Sequence, residues 1–282
     1  MRKKLISKKK PFYPINELLK KYLISNNRWF EINILYNDLL RFKGSVVVYD
    51  KNNNDTLWVR LFYNENENFE IEQYLKKIYA RLHSDGNDDQ FEFLKIDAID
   101  YCTFGNSKPF RIKIRNILND NFIYFYIKKT DASRVYGLEF EHMLSPYNIN
   151  FLVNDSILIE EHISGIPGDI FIKENLKLMN LIREKLNHDS VLQYKIEERS
   201  IIAKRIIGSE KRLSKIIDIM KKDKITIKEN LIQLREEIFN FTSDESFRNS
   251  KSMGSVMESS FNYVRNHYEN LNLSKLIRDY NQ

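Results

Sequence analysis

The sequence predicts an α+β fold: an antiparallel sheet with one packed helix, followed by an all-helical C-terminal region. Three observations carry this expectation. Residues 110–115 alternate strictly, with Phe110, Ile112 and Ile114 on one side and Arg111, Lys113 and Arg115 on the other, the period of a half-buried strand. Thr130 or Asp131 opens an apolar-periodic stretch that runs to about Met143 and breaks at Ser145-Pro146, as a capped helix does. From about Lys173, Ile, Leu and Met stripes recur at helical spacing as far as Tyr268.

The other elements follow in order. Residues 1–14 form a basic tail, and Ile15, Leu18, Leu19 and Tyr22 mark a short helix. Residues 29–42 are apolar-periodic without a decided type. Residues 45–49 and 56–63 are β-branched and aromatic runs joined through Asp50–Asp55, a hairpin connection. Ile71, Tyr74, Leu75, Ile78 and Leu82 lie on one face of a helix over 69–83. Residues 84–89 then mark an internal boundary. Beyond it, 91–103, 110–115 and 122–128 are strands, the capped helix follows, and 149–153 and 157–163 are two more strands. The chain therefore divides into a tail (1–14), an N-terminal α/β segment (15–90), a sheet (91–172) and a helical region (173–282).

Composition narrows the function classes. Hydrophobic residues at 42% and aromatics at 13% suffice for a packed interior and argue against global disorder. Lys+Arg 45 against Asp+Glu 39 leaves a net charge of +6. Arg2, Lys3, Lys4, Lys8, Lys9 and Lys10 account for all of it, so the body is neutral. Cys102 is the only cysteine, which excludes an internal disulfide or a cysteine zinc site, and it reads as a buried, inert thiol. The five histidines form no pair at metal-ligand spacing. No apolar run approaches the ~18–20 residues of a membrane span, and cytoplasmic residence is the expectation.

One constellation points to chemistry. Lys128 closes the strand Phe125-Tyr126-Ile127-Lys128, and the next helix carries Glu139 and Glu141. A strand places the Lys128 ammonium firmly, and a carboxylate on the following helix would hold it in position. Glu161, His162 and Ile163 end the last strand. Singly, each has a plainer reading: a solvated lysine, a helix surface, a strand edge. Arg111, Lys113 and Arg115 also make a linear cationic stripe, which Tyr124 and Tyr126 share if the hairpin pairs that way; such a stripe tracks phosphates. Its plainer reading is an exposed strand face matched by nearby acids.

Three strands, a helix and two strands from Phe91 onward, with Lys128 in the position of a third-strand lysine, resemble the small lobe of atypical, aminoglycoside-phosphotransferase-like protein kinases. Residues 100–119, 124–146, 158–169 and 186–205 are also similar to an uncharacterised kinase-like family of AT-rich, Bacteroidetes-type bacteria. The resemblance implies ATP as cofactor, with Lys128 and Glu139 or Glu141 on the phosphates and the Glu161–Ile163 backbone as hinge. The match is incomplete. The turn at Gly105 holds one glycine where kinases have three. No His-Arg-Asp or Asp-Phe-Gly motif follows Asp169, and His188-Asp189 lacks the downstream Asn. The resemblance also implies that longer members of that family carry a further segment, with a catalytic Asp, which this chain lacks near 171–174. The expected function is therefore a degenerate or shortened nucleotide-binding module without phosphotransfer. The alternatives are a protein-interaction scaffold and a nucleic-acid-binding protein.

Overall fold

The computed structural model describes residues 11–83, 91–104, 107–145, 148–163, 204–225 and 252–267. The chain forms two compact units, one of residues 1–138 and 149–162, the other of 139–148 and 163–282.

In the first unit, α1 (Glu17–Ser25) starts at Asn16, whose Oδ1 accepts the Leu19 N–H at 2.8 Å. The strands β1 (Gly44–Tyr49) and β2 (Asp55–Phe62) form the expected hairpin, closed by Asp50 accepting the Asn52 and Asn54 amides. Next come α2 (Glu65–His83), β3 (Leu94–Cys102), β4 (Phe110–Asn116) and β5 (Phe122–Lys129). The helix α3 (Ala132–Leu144), whose residues from Glu139 on belong to the second unit, and the strands β6 (Phe151–Val153) and β7 (Ile157–Glu161) follow. Asp131 caps α3 by accepting the Ser133 N–H at 3.0 Å, while Thr130 donates to the Asn154 carbonyl instead.

All seven strands join one antiparallel sheet in the order β1-β2-β3-β4-β5-β7-β6. The sheet runs without a break from the hairpin before residues 84–89 into the strands after them. Its inner face carries Ile99, Phe110, Ile112, Ile114, Phe125, Ile127 and Ile159. Packed with these are Ile71, Leu75, Ile78 and Leu82 of α2 and Ile34, Tyr36 and Leu39 of the preceding segment. That segment, undecided in the sequence, is irregular, bends at Asn33 and ends in a 3-10 turn at Asp38–Leu40. The first residues of the expected strand 91–103 also form a 3-10 turn.

In the second unit, residues 204–208 are helical and lead into α4 (Glu210–Lys222) and then α5 (Met253–His267). Leu213, Ile216, Ile217 and Met220 are buried, and Phe140 meets Phe261 with ring centroids 5.9 Å apart. Gly254 permits the close approach of α5 to α4: a Cβ there would come within 2.8 Å of the Lys221 backbone nitrogen. The described part of the C-terminal region is thus helical. The basic tail, the Gly105 turn, Asp169, residues 171–174 and His188-Asp189 lie outside the described residues. No described helix is long and apolar enough to cross a membrane.

Cys102 departs from expectation. It pairs with Trp58 on the outward side of the sheet and is half-exposed, its Sγ donating to the Phe104 carbonyl at 3.1 Å. Strand alternation, which places Tyr101 inward, turns the next residue out.

Candidate functional site

The outer face of the sheet collects an unusual set of side chains. Because Phe110, Ile112 and Ile114 point inward, Arg111, Lys113 and Arg115 must point outward. The β4–β5 register sets each cation directly opposite an aromatic residue: Arg111 against Tyr126, Lys113 against Tyr124 and Arg115 against Phe122. The cationic and aromatic stripes share one face.

A bulge at the start of β2 adds Trp58 to this face. The register shifts between Val48 and Tyr49, and Leu57 takes φ 64, a conformation a bulky residue rarely adopts. Asp55 accepts the Leu57 N–H at 2.7 Å, and the Leu57 carbonyl accepts Thr103 N–H at 2.9 Å, holding the bulge. Trp58 then lies opposite Val48 and Cys102, aimed outward. Its ring centroid is 6.2 Å from that of Tyr126, and the Arg111 guanidinium carbon lies 4.6 Å from it. His162 completes the row, 5.7 Å from the Tyr124 ring and 5.8 Å from that of Tyr126, whose hydroxyl lies 3.1 Å from His162 Nδ1. Burial raises the Tyr126 pKa, so this hydroxyl stays protonated.

The charges are built as well as placed. Asp100, 1% exposed, accepts Arg60 Nε at 2.9 Å and Arg111 Nη2 at 2.8 Å. Asp97 accepts Arg115 Nε at 2.9 Å and lies 3.7 Å from Lys113 Nζ, and Asp120 accepts Arg115 Nη1 at 2.6 Å. The hydrogen bond from Arg115 holds the Asp97 carboxyl below the usual carboxylate range. Lys95, opposite Arg115, belongs to the same face. Five cations thus meet three carboxylates. The expected acid-matching is present, with an excess of positive charge remaining. At the β6–β7 end Phe151, Val153 and Leu158 are fully buried; from β1 to β5 the outer face is half-exposed or exposed apart from the buried Ala98 and Asp100.

The residues expected to hold a nucleotide divide between the two units. Lys128 points to the outer face and pairs with Glu160 of β7. Glu139 is fully buried in the second unit and accepts Arg212 Nε at 2.9 Å. Glu141 is half-buried, and its Oε2 has no hydrogen-bond partner. Glu161 faces inward: its Oε2 accepts the Asn150 N–H at 3.1 Å, its Oε1 lies 3.3 Å from His83 Nδ1, and its own N–H donates to the Asn150 carbonyl. Ile163 is 64% exposed.

Sequence reasoning missed Trp58, Arg60 and Asp100. The alternation of Trp58, Arg60 and Phe62 with Val59 and Leu61 could have revealed the first two. Asp100 had no such signal, since a carboxylate in an apolar run reads equally as an edge. Among the described residues no cluster of His, Cys, Asp and Glu could hold a metal ion. No protein-family model, curated protein or solved structure matches the chain.

Proposed function

We propose that the protein is a non-catalytic binding module whose outer sheet face takes single-stranded nucleic acid. The observation that carries this reading is the run of three consecutive cross-strand pairs in which a cation of β4 faces a ring of β5. Rings on an open sheet offer stacking worth ~1–3 kcal/mol per base, and a cation row beside them follows the phosphates. The positive excess of the face is small, so stacking supplies most of the affinity and salt dependence is shallow.

The test is fluorescence anisotropy of a labelled single-stranded oligonucleotide, with a duplex of the same sequence as control. The single strand binds preferentially, and Tyr124→Ala with Tyr126→Ala weakens it at least tenfold while the circular-dichroism melt is retained. Absence of binding at low salt, or binding indifferent to the two rings, overturns the reading.

The kinase-like, nucleotide-binding reading stands as a second proposal. It rests on the three-strand, helix, two-strand order and on a strand-borne lysine, Lys128, already engaged by a carboxylate. It expects a thermal shift with ATP that Lys128→Ala abolishes, and neither hydrolysis nor autophosphorylation above buffer. A shift unchanged by Lys128→Ala would remove its support.

A further inference from the structure

We propose that the free edge of β1 pairs with β1 of a second copy of this chain, antiparallel about a twofold axis at Val46, so that two sheets become one. The proposal concerns an edge of the sheet and holds whatever the outer face binds.

The sheet guards one edge and leaves the other open. At the guarded end, β6 is three residues long and Phe151, Leu152 and Val153 are all buried. Trp29 bridges Val153, whose carbonyl accepts Phe30 N–H at 3.0 Å and whose N–H donates to the Arg28 carbonyl at 2.8 Å. At the open end, β1 pairs with β2 on one side and, among the described residues, with no strand on the other. Such an edge presents a row of main-chain N–H and C=O groups that another strand can meet.

Natural edges are blunted by charge, proline, shortness, a bulge or a covering element. β1 runs for six residues, Gly44–Tyr49, with neither charge nor proline. Its register shift places Thr56 and Leu57 of β2 as the extra residues, so β1 itself stays regular. Val46 and Tyr49 are each 59% exposed and Val47 39%, so apolar side chains stand open on both faces of the edge.

The strand is its own complement. Val46 and Val48 face outward, opposite Arg60 and Trp58, while Ser45 and Val47 face inward, opposite Leu61 and Val59. A twofold axis normal to the sheet keeps outward residues with outward ones. With the axis at Val46, that residue meets its own copy, Gly44 meets Val48, and Ser45 meets Val47. Lys43 then comes beside the exposed Tyr49 ring, where a cation is attracted. An axis at Val47 would instead bring Lys43 toward Lys51, like charges facing each other. Because the β6 edges are covered, one such contact uses up both open edges, and assembly closes at two.

Sedimentation velocity of the full chain over a concentration series should show a monomer–dimer equilibrium in the micromolar range. The Gly44–Tyr49 amides should exchange hydrogen more slowly as the dimer forms. Val46→Lys and Val46→Glu should each weaken dimerisation at least tenfold, because like charges meet at the axis. An equimolar mixture of the two variants should restore the dimer, as pairing of residue 46 with its own copy requires. A chain that stays monomeric to millimolar concentration, a dimer that neither substitution weakens, or growth past the dimer overturns the proposal. So does a mixture that stays monomeric although each variant melts cooperatively. Exchange at those amides that ignores concentration in the unaltered protein overturns it as well, with no substitution involved.

Discussion

Asp100 on β3 stands opposite Arg111 on β4 and accepts its Nη2 at 2.8 Å, a buried carboxylate beneath an otherwise open face. The same carboxylate receives Arg60, so one group positions two guanidiniums. Asp100→Asn keeps the shape but removes the charge they share. The expected loss is about 2 kcal/mol in urea unfolding, reduced from the full cost of a broken buried pair because Arg60 and Arg111 are partly exposed. An unchanged midpoint would show that solvent already satisfies both arginines.

Oligonucleotide binding should separate the two kinds of residue on that face. Arg60→Gln removes a partly exposed cation and lowers the slope of log K against log salt by ~0.7, the value for one phosphate contact on a single strand. Tyr126→Ala lowers affinity at every salt concentration and leaves the slope alone. Identical salt slopes for Arg60→Gln and the unaltered protein would remove Arg60 from the phosphate path.

His83 should make the first unit sensitive to mild acid. Burial lowers its pKa from the ordinary 6.5, and the nearby Glu161 carboxylate offsets this only in part. The folded state then resists the proton that the unfolded chain accepts near pH 6.5. Stability is full above that pH and falls as pH drops through 6.5 toward the lower folded value. The urea midpoint should decline between pH 7.5 and 5.5, and His83→Gln should flatten that decline. Parallel curves for the two proteins would assign the pH dependence elsewhere.

Gly254→Ala tests the helix approach in the second unit. Alanine favours a helix over glycine by ~1 kcal/mol, yet the added methyl meets Lys221 backbone atoms at 2.8 and 3.0 Å. The clash should win, with a lower melting temperature and no gain in helical signal. A higher melting temperature would mean that the two helices separate without cost.

Ile206→Asp examines the same unit by burial. Ile206 is 6% exposed, and a carboxylate there has no designed partner. A loss of several kcal/mol, to order of magnitude, is expected from thermal unfolding. An unaltered transition would place this stripe in solvent.

The sequence by itself determined the local elements. Alternation at 110–115, the turn at 50–55, the apolar face of α2 and the Asp131 cap each appear where residue chemistry places them, within a few residues. These are short-range choices, settled by side-chain period and capping. Only the tertiary structure decided which residues share a face. Register set Arg111 beside Tyr126, a bulge at Leu57 turned Trp58 outward, and pairing across β2, β3 and β4 brought Arg60, Asp100 and Arg111 together. It likewise gave Lys128 to Glu160 and Glu139 to Arg212, pairings that cross long stretches of chain. The physical reason is that a strand's period tells which side chains alternate, whereas the partner opposite each one depends on where distant backbone hydrogen bonds come into register.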